Sequence, residues 1–217
     1  MTLLDFARGP AMQWALIIFT IGIFWRLVGT VLLYRRRDFS QPRRKSGLPD
    51  GARAIVMRSV LPPELEHNIV FQHVTGYLWH IGYFVTVLFL GTHIPFFKSL
   101  LGFGWPHLPN AIVMIAAAVS LAVLVMLLVR RMLHPVLQKI STSDDYISVI
   151  VTILPLITGL ISYANIGFIK ETNLALHILS VELLLLWFPF GKLMHLFMTF
   201  PSRYQVGAAF GRRGVKA

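Results

Sequence analysis

The chain has no cysteine among its 217 residues. That excludes disulfides, thiolate-held iron–sulfur clusters and cysteine nucleophiles within this polypeptide. Charge is also scarce: 13% of residues are Asp, Glu, Lys or Arg, against about 25% in an ordinary soluble domain. Acidic residues are the scarcer charge, nine against 20 basic ones, and no Asp/Glu–His cluster occurs within an apolar stretch. The N-terminus, MTLLDFARGPAMQW, lacks a basic segment followed by a small-residue cleavage site, so it reads as a retained first span and not a secretory signal. No internal repeat, low-complexity region or alternating barrel pattern is present.

What is abundant is hydrophobicity, 56% of residues with a mean hydropathy of +0.68. Five apolar stretches, 12–34, 69–97, 110–130, 147–168 and 173–200, exceed the roughly 18 residues that a membrane-spanning helix needs. Backbone in lipid must satisfy its own hydrogen bonds, so these are predicted to be helices. The expected fold is an all-α, five-helix integral membrane bundle forming one domain over 1–217.

The net charge of +11 does not indicate nucleic acid, because the basic residues sit in loops between apolar stretches. Fifteen follow the first, third and fifth spans, eight of them from Arg35 to Arg58, whereas Arg8, Lys98 and Lys170 lie on the other side. Arg26 and Lys192 fall inside spans. The positive-inside rule then puts the N-terminus outside and the C-terminus in the cytoplasm. The long loop 35–68 opens with the basic run RRRDFSQPRRK, suited to anionic lipid or to a cytoplasmic partner. Ile55, Val56 and Met57, flanked by Arg53 and Arg58, suit a short interfacial helix.

Five of the eight histidines fall inside two predicted spans: His73, His80 and His93 in the second, His177 and His195 in the fifth. Any one of them has an ordinary alternative, a hydrogen bond to a neighbouring helix. Their confinement to two helices points further, since ionisable groups in a membrane are costly and mostly functional. Neutral imidazole is a good iron ligand, and helical bundles build cofactor sites from facing helices. Metal transport would call for carboxylate or sulfur co-ligands, and Glu182 is the only carboxylate inside a span. Histidine pairs without co-ligands fit bis-histidine haem b better. Gly76, Gly82, Gly91 and Gly159 would give a macrocycle room.

In a continuous fifth span, His177 and His195 are 18 residues apart, five turns or about 27 Å, and so share one face. Pro189 between them predicts a kink. Spans two and five run antiparallel, so depth pairs His93 with His177, and His195 with His73 or His80. Depth alone favours His73. On a straight helix His93 points well away from both of its neighbours, a mismatch that a bend at Pro95 would reduce.

The segments YLWHIG, RRMLHP with STSDDYI, and LALHILSVELLLLWFPFGKLMHLF together resemble the membrane cytochrome b (gamma) subunit of respiratory nitrate reductase and related quinol-linked cytochromes. The resemblance covers most of the chain and is most specific in the fifth span. It implies that His80 and His195 hold a cytoplasmic-side haem and that His177 ligates an outer one. The family's second span-two histidine aligns with Leu90, and His93 is the nearest candidate. Lys192 takes the place of an arginine in the FPF motif, where it would pair with a haem propionate or else snorkel. No basic residue of the family's outer quinone site is evident near Asn110.

These readings lead to an expected function. The chain would be a two-haem b electron carrier (one haem in a variant) of a prokaryotic cytoplasmic membrane. It would move electrons between menaquinol or ubiquinol and a cytoplasmic iron–sulfur subunit that serves a separate catalytic subunit. The alternatives are a haem b protein without quinone chemistry and a non-haem scaffold or transporter. Asp144 and Asp145 are expected to cap the fourth span, and Glu182 to serve as a structural hydrogen-bonding group.

Overall fold

The computed structural model describes residues 1–33, 41–44, 47–60 and 66–215, without the side chains of 66–68. Among these residues there are helices and no strands. Three helices are long and apolar enough to cross a membrane, or five spans if each of two broken pairs counts as one. The described residues form two compact units, 1–19 with 74–192, and 20–73 with 193–217.

Helix α1, Leu3–Leu32, begins with a capping box in which Thr2 and Asp5 bond each other's backbone N–H groups. Its turn Ala7–Ala11 widens to a π-helix around Pro10. Proline has no N–H and crowds the preceding turn, and a wider turn relieves both. The span therefore starts nine residues before the predicted position 12, and its predicted end at Tyr34 lies outside the described residues.

Helix α3, Glu66–Phe89, which belongs to the first unit from Val74 onward, is followed after a short break by α4, Ile94–Leu101, bent by 73°. The predicted span 69–97 is thus not one helix. Pro95 occupies the first turn of α4, the helical position where its missing N–H costs least. Trp105 Nε1 donates to Leu88 O at 2.7 Å and Leu108 N to Phe89 O at 3.1 Å, tying the following loop back to the end of α3. Next come α5, Asn110–Leu133, the short α6, Pro135–Ile140, and α7, Ser143–Ala164. Helix α7 lies four residues earlier in the chain than predicted, because Asn165 ends it in the left-handed conformation (φ 52°). Asparagine tolerates that conformation well.

Helices α3, α5 and α7 share an apolar core of Ala117, Leu124, Ile153 and Leu156, flanked by Trp79, Tyr83 and Leu121. Lipid offers no hydrophobic drive to join helices, so close backbone approach matters more than in water. Gly82 supplies it: a Cβ there would lie 2.2 Å from Ser120 Oγ and 2.8 Å from Ala116 O. Ser120 Oγ donates across the same seam to Trp79 O at 3.2 Å. Gly82 is therefore taken by helix packing, not by a cofactor slot.

Helix α8, Lys170–Trp187, pairs with α7 as a hairpin. Asn173 Nδ2 donates to Ile166 O and Phe168 O at 3.0 and 3.1 Å, which fixes the connecting turn. The predicted single helix over 173–200 does not form. After Trp187 the chain turns, passes through a 3-10 turn, Lys192–Met194, and restarts as α9, His195–Arg212. Pro189 interrupts the ladder, and side chains hold the break open. Trp187 Nε1 donates to Ser148 Oγ at 3.0 Å, and Ser148 Oγ donates to Asp144 Oδ1 at 2.8 Å. The Lys192 backbone N–H donates to the same carboxylate at 3.2 Å. A side chain at Gly191 would collide with Trp187. Asp145 completes the expected capping box with Thr142 and also pairs with Arg131 at 3.3 Å and with the Lys192 ammonium at 2.5 Å. STSDDYI and FPFGK thus meet as one polar latch.

In the second unit, α2, Leu48–Met57, lies against α9. A helix forms where a short interfacial one is expected around Ile55–Met57, and it is longer, with Leu48, Val56 and Met57 exposed. Its inner face is glycine: Gly47 abuts Ala208, and Gly51 abuts Tyr204. From the other side Gly207 abuts Ala54, and Gly211 abuts Asp50. Each helix thus contributes a G-x-x-x-G pair, the spacing that lets backbones touch. Gly207→Leu is expected to detach α2, seen as faster proteolysis within 47–60 while 74–192 stays protected. Equal protection in the variant would refute this account. The basic run 35–40 lies outside the described residues.

Candidate haem-ligand site

The α7–α8 hairpin sets His177 opposite Gly159. A Cβ at Gly159 would lie 3.1 Å from His177 Cε1 and 3.3 Å from Nδ1, so this glycine makes room for the imidazole itself. The other two glycines expected to line a slot divide: a Cβ at Gly91 would meet the His107 ring, and one at Gly76 would meet no atom within 4 Å.

His93 N-caps α4 and lies in the break after α3. The angular mismatch expected on a straight helix therefore does not apply to it. The break brings it to His177, with ring centroids 6.1 Å apart and ring planes within 12° of parallel. Two metal–nitrogen bonds of about 2.0 Å and two nitrogen-to-centroid distances of about 1.1 Å would put the rings of a bis-imidazole site about 6.2 Å apart. The observed spacing matches.

The hydrogen bonds around the pair favour ligation. His93 Nδ1 lies 3.1 Å from Val87 O. A carbonyl only accepts, so Nδ1 carries the hydrogen and Nε2 of the neutral ring keeps the lone pair. His177 Nδ1 lies 3.2 Å from Thr158 Oγ1, and the same tautomer results when the ring donates. Anchoring the far nitrogen of a ligand histidine is the usual outer-sphere arrangement in metal sites. Among the described residues no group of three or more His, Cys, Asp or Glu could hold a metal ion. A haem needs only two protein ligands, because the macrocycle supplies the rest. The pair therefore fits axial ligation.

His80 Nδ1 donates to Gly76 O at 2.6 Å, which directs it to the same tautomer, and its ring stacks on Trp79 with centroids 3.6 Å apart. His80 belongs to the first unit; His73, on α3, and His195, the first residue of α9, belong to the second. With the helix broken before His195, five unbroken turns no longer relate it to His177. Lys192, expected at a propionate, has its ammonium on Asp145. Glu182 is 4% exposed, and among the described residues its Oε1 has no hydrogen-bond partner.

Sequence reasoning missed Thr158 and Ser180. Thr158 Oγ1 lies 2.8 Å from Ser180 Oγ, and Ser180 Oγ donates to His177 O at 2.7 Å. Each is a hydroxyl within an apolar stretch, which by itself carries no signal of a role at His177.

No protein-family model matches the chain. A relative from Nitratidesulfovibrio vulgaris (strain Hildenborough), described only as "Protein", is 29% identical over 215 residues, covering 96% of this chain and 94% of its own. The similarity therefore extends over both chains nearly end to end.

Proposed function

We propose that this chain is a haem b subunit of a prokaryotic cytoplasmic membrane that carries electrons between a quinol pool and a cytoplasmic iron–sulfur partner. His93 and His177 would hold an outer haem; the resemblance assigns an inner one to His80 and His195. The observation that carries the reading is the His93–His177 pair: two near-parallel imidazoles with ring centroids 6.1 Å apart, each with its Nδ1 hydrogen-bonded. The apolar helices and the asymmetry of basic residues support a multi-pass protein with its N-terminus outside and its C-terminus in the cytoplasm.

Bound haem iron would supply reversible one-electron chemistry, which no side chain of this cysteine-free chain provides. The chain's own residues hold and orient that iron, and the apolar helices around it limit access of water. Menaquinol or ubiquinol is oxidised near the outer site with protons released outside. The electrons leave on the cytoplasmic side to a separate subunit that performs the terminal chemistry. The resemblance to the nitrate reductase gamma subunit supports this order of events.

A pyridine haemochrome assay on the purified protein tests the reading. About two haems b per chain are expected from two bis-histidine sites. One haem would select a single-haem anchor, and none would leave a scaffold or transporter. Reduction of the haem by added quinol, blocked by a quinone-site inhibitor, separates an oxidoreductase from a sensor.

A further inference from the structure

The hydrogen-bonded surroundings of His93 and His177 differ in one consequential way. His93 is anchored by a backbone carbonyl, Val87 O, which no side-chain substitution removes. His177 has a backbone partner in Pro155 and, unlike His93, is also anchored by a side-chain hydroxyl, Thr158 Oγ1, on the facing helix. That hydroxyl belongs to a short relay. With the ring as donor, His177 Nδ1–H points to Thr158 Oγ1 across 3.2 Å, Thr158 O–H to Ser180 Oγ across 2.8 Å, and Ser180 O–H to His177 O across 2.7 Å. Three donors and three acceptors are matched in one direction, and the loop closes on the carbonyl of the residue where it began. Such chains strengthen one another when shielded from water, and Ser180 is only 8% exposed. Leu154 O, 2.8 Å from Thr158 Oγ1, is a second outlet for the Thr158 hydrogen and leaves the ring as donor in the same way. Gly159, next to Thr158, keeps space for the ring in this orientation.

We infer that Thr158, backed by Ser180, is a positioning residue for His177 and through it sets the reduction potential of the haem that His177 holds. This rests on the reading of His177 as a haem ligand. An acceptor on the far N–H of an imidazole makes its ligating nitrogen more basic. A more basic axial ligand favours the oxidised iron and lowers the potential. The chain thus has a substitutable control on one site that does not touch the metal.

The experiment is a spectroscopically monitored redox titration of the purified full-length protein and its variants, with electron paramagnetic resonance of the oxidised form. Thr158→Val, which is nearly isosteric but has no hydroxyl, is expected to raise the midpoint of the component that His177→Ala removes and to alter its low-spin signal. The other component should stay in place. Ser180→Ala should shift the same midpoint upward by less, and Thr158→Ser should restore the wild-type value. If Thr158→Val abolishes that component, Thr158→Ser decides: retention supports positioning, and loss in both assigns the effect to packing and overturns the inference. Unchanged midpoints and signals in Thr158→Val, with haem content intact, overturn the inference alone. Wild-type protein without haem overturns the functional reading and this inference together.

Discussion

His177→Ala is expected to lower the haem content from about two per chain to about one and to remove a single spectral component. The remaining component should keep its absorbance maximum and midpoint. The expectation is strong because the pair leaves little redundancy. On the proposed reading the two imidazoles, 6.1 Å apart, would hold one haem together, so either alone would hold it weakly. His93→Ala should therefore remove the same component as His177→Ala, and the double variant should lose no more than either single one. That lack of additivity is the signature of two groups acting as one unit. His73→Ala should leave this component untouched. If His93→Ala spared it while His73→Ala abolished a haem, the pairing would be wrong.

Gly82→Leu is expected to destabilise the first unit more than any other single change in its core. Overpacking a well-filled interior costs about 1–3 kcal/mol, and here the obstacle is partly a backbone carbonyl that cannot rotate away. The Cβ alone would lie 2.8 Å from Ala116 O and 2.2 Å from Ser120 Oγ. Gly82→Ala should therefore lower the unfolding temperature in detergent, and Gly82→Leu should lower it further or prevent accumulation of the protein. Adding Ser120→Gly should recover part of the loss in Gly82→Ala, because it removes the nearest atom. Thermal unfolding followed by tryptophan fluorescence measures both, with Trp79 at this seam as a local reporter. Wild-type stability in Gly82→Ala would show that α3 and α5 can separate without cost.

The sequence reading anticipated membrane-length helices well and their continuity poorly. Asn110–Leu133 matches its prediction at the start and runs three residues beyond it. Its apolar run contains no proline, and basic residues bound its far end. The predicted spans that contain Pro95 and Pro189 both break. In water a proline near the end of an apolar run would have been read as a helix stop, but hydropathy windows average across it. The break at Pro189 is also held by Asp144 and Ser148, which are 39 or more residues away in sequence. No local rule contains that information.

The same distinction applies to the site. His93 and His177 were legible as partners from depth in an antiparallel arrangement, though His93 faced the wrong way on a straight helix. The end of α3 at Phe89 removes that objection by placing His93 at the head of a separate helix. Gly159 was legible as a space-maker, but what it makes room for is a ring of this chain. Thr158 and Ser180 carried no signal, because a hydroxyl in a span normally bonds its own preceding turn and only the hairpin register brings these two to His177.

The sequence by itself determined the class of the molecule. Low charge, long apolar runs, missing cysteine and histidines within apolar runs are properties of composition and spacing, and solvent transfer energies act on those directly. The tertiary structure alone decided how His93 comes to face His177, where Lys192 finds its counter-charge, and which glycines serve packing. Those outcomes depend on register between helices and on where a helix stops. Both are set by contacts between residues far apart in the chain, such as Gly82 with Ser120 and Asp144 with the Lys192 amide.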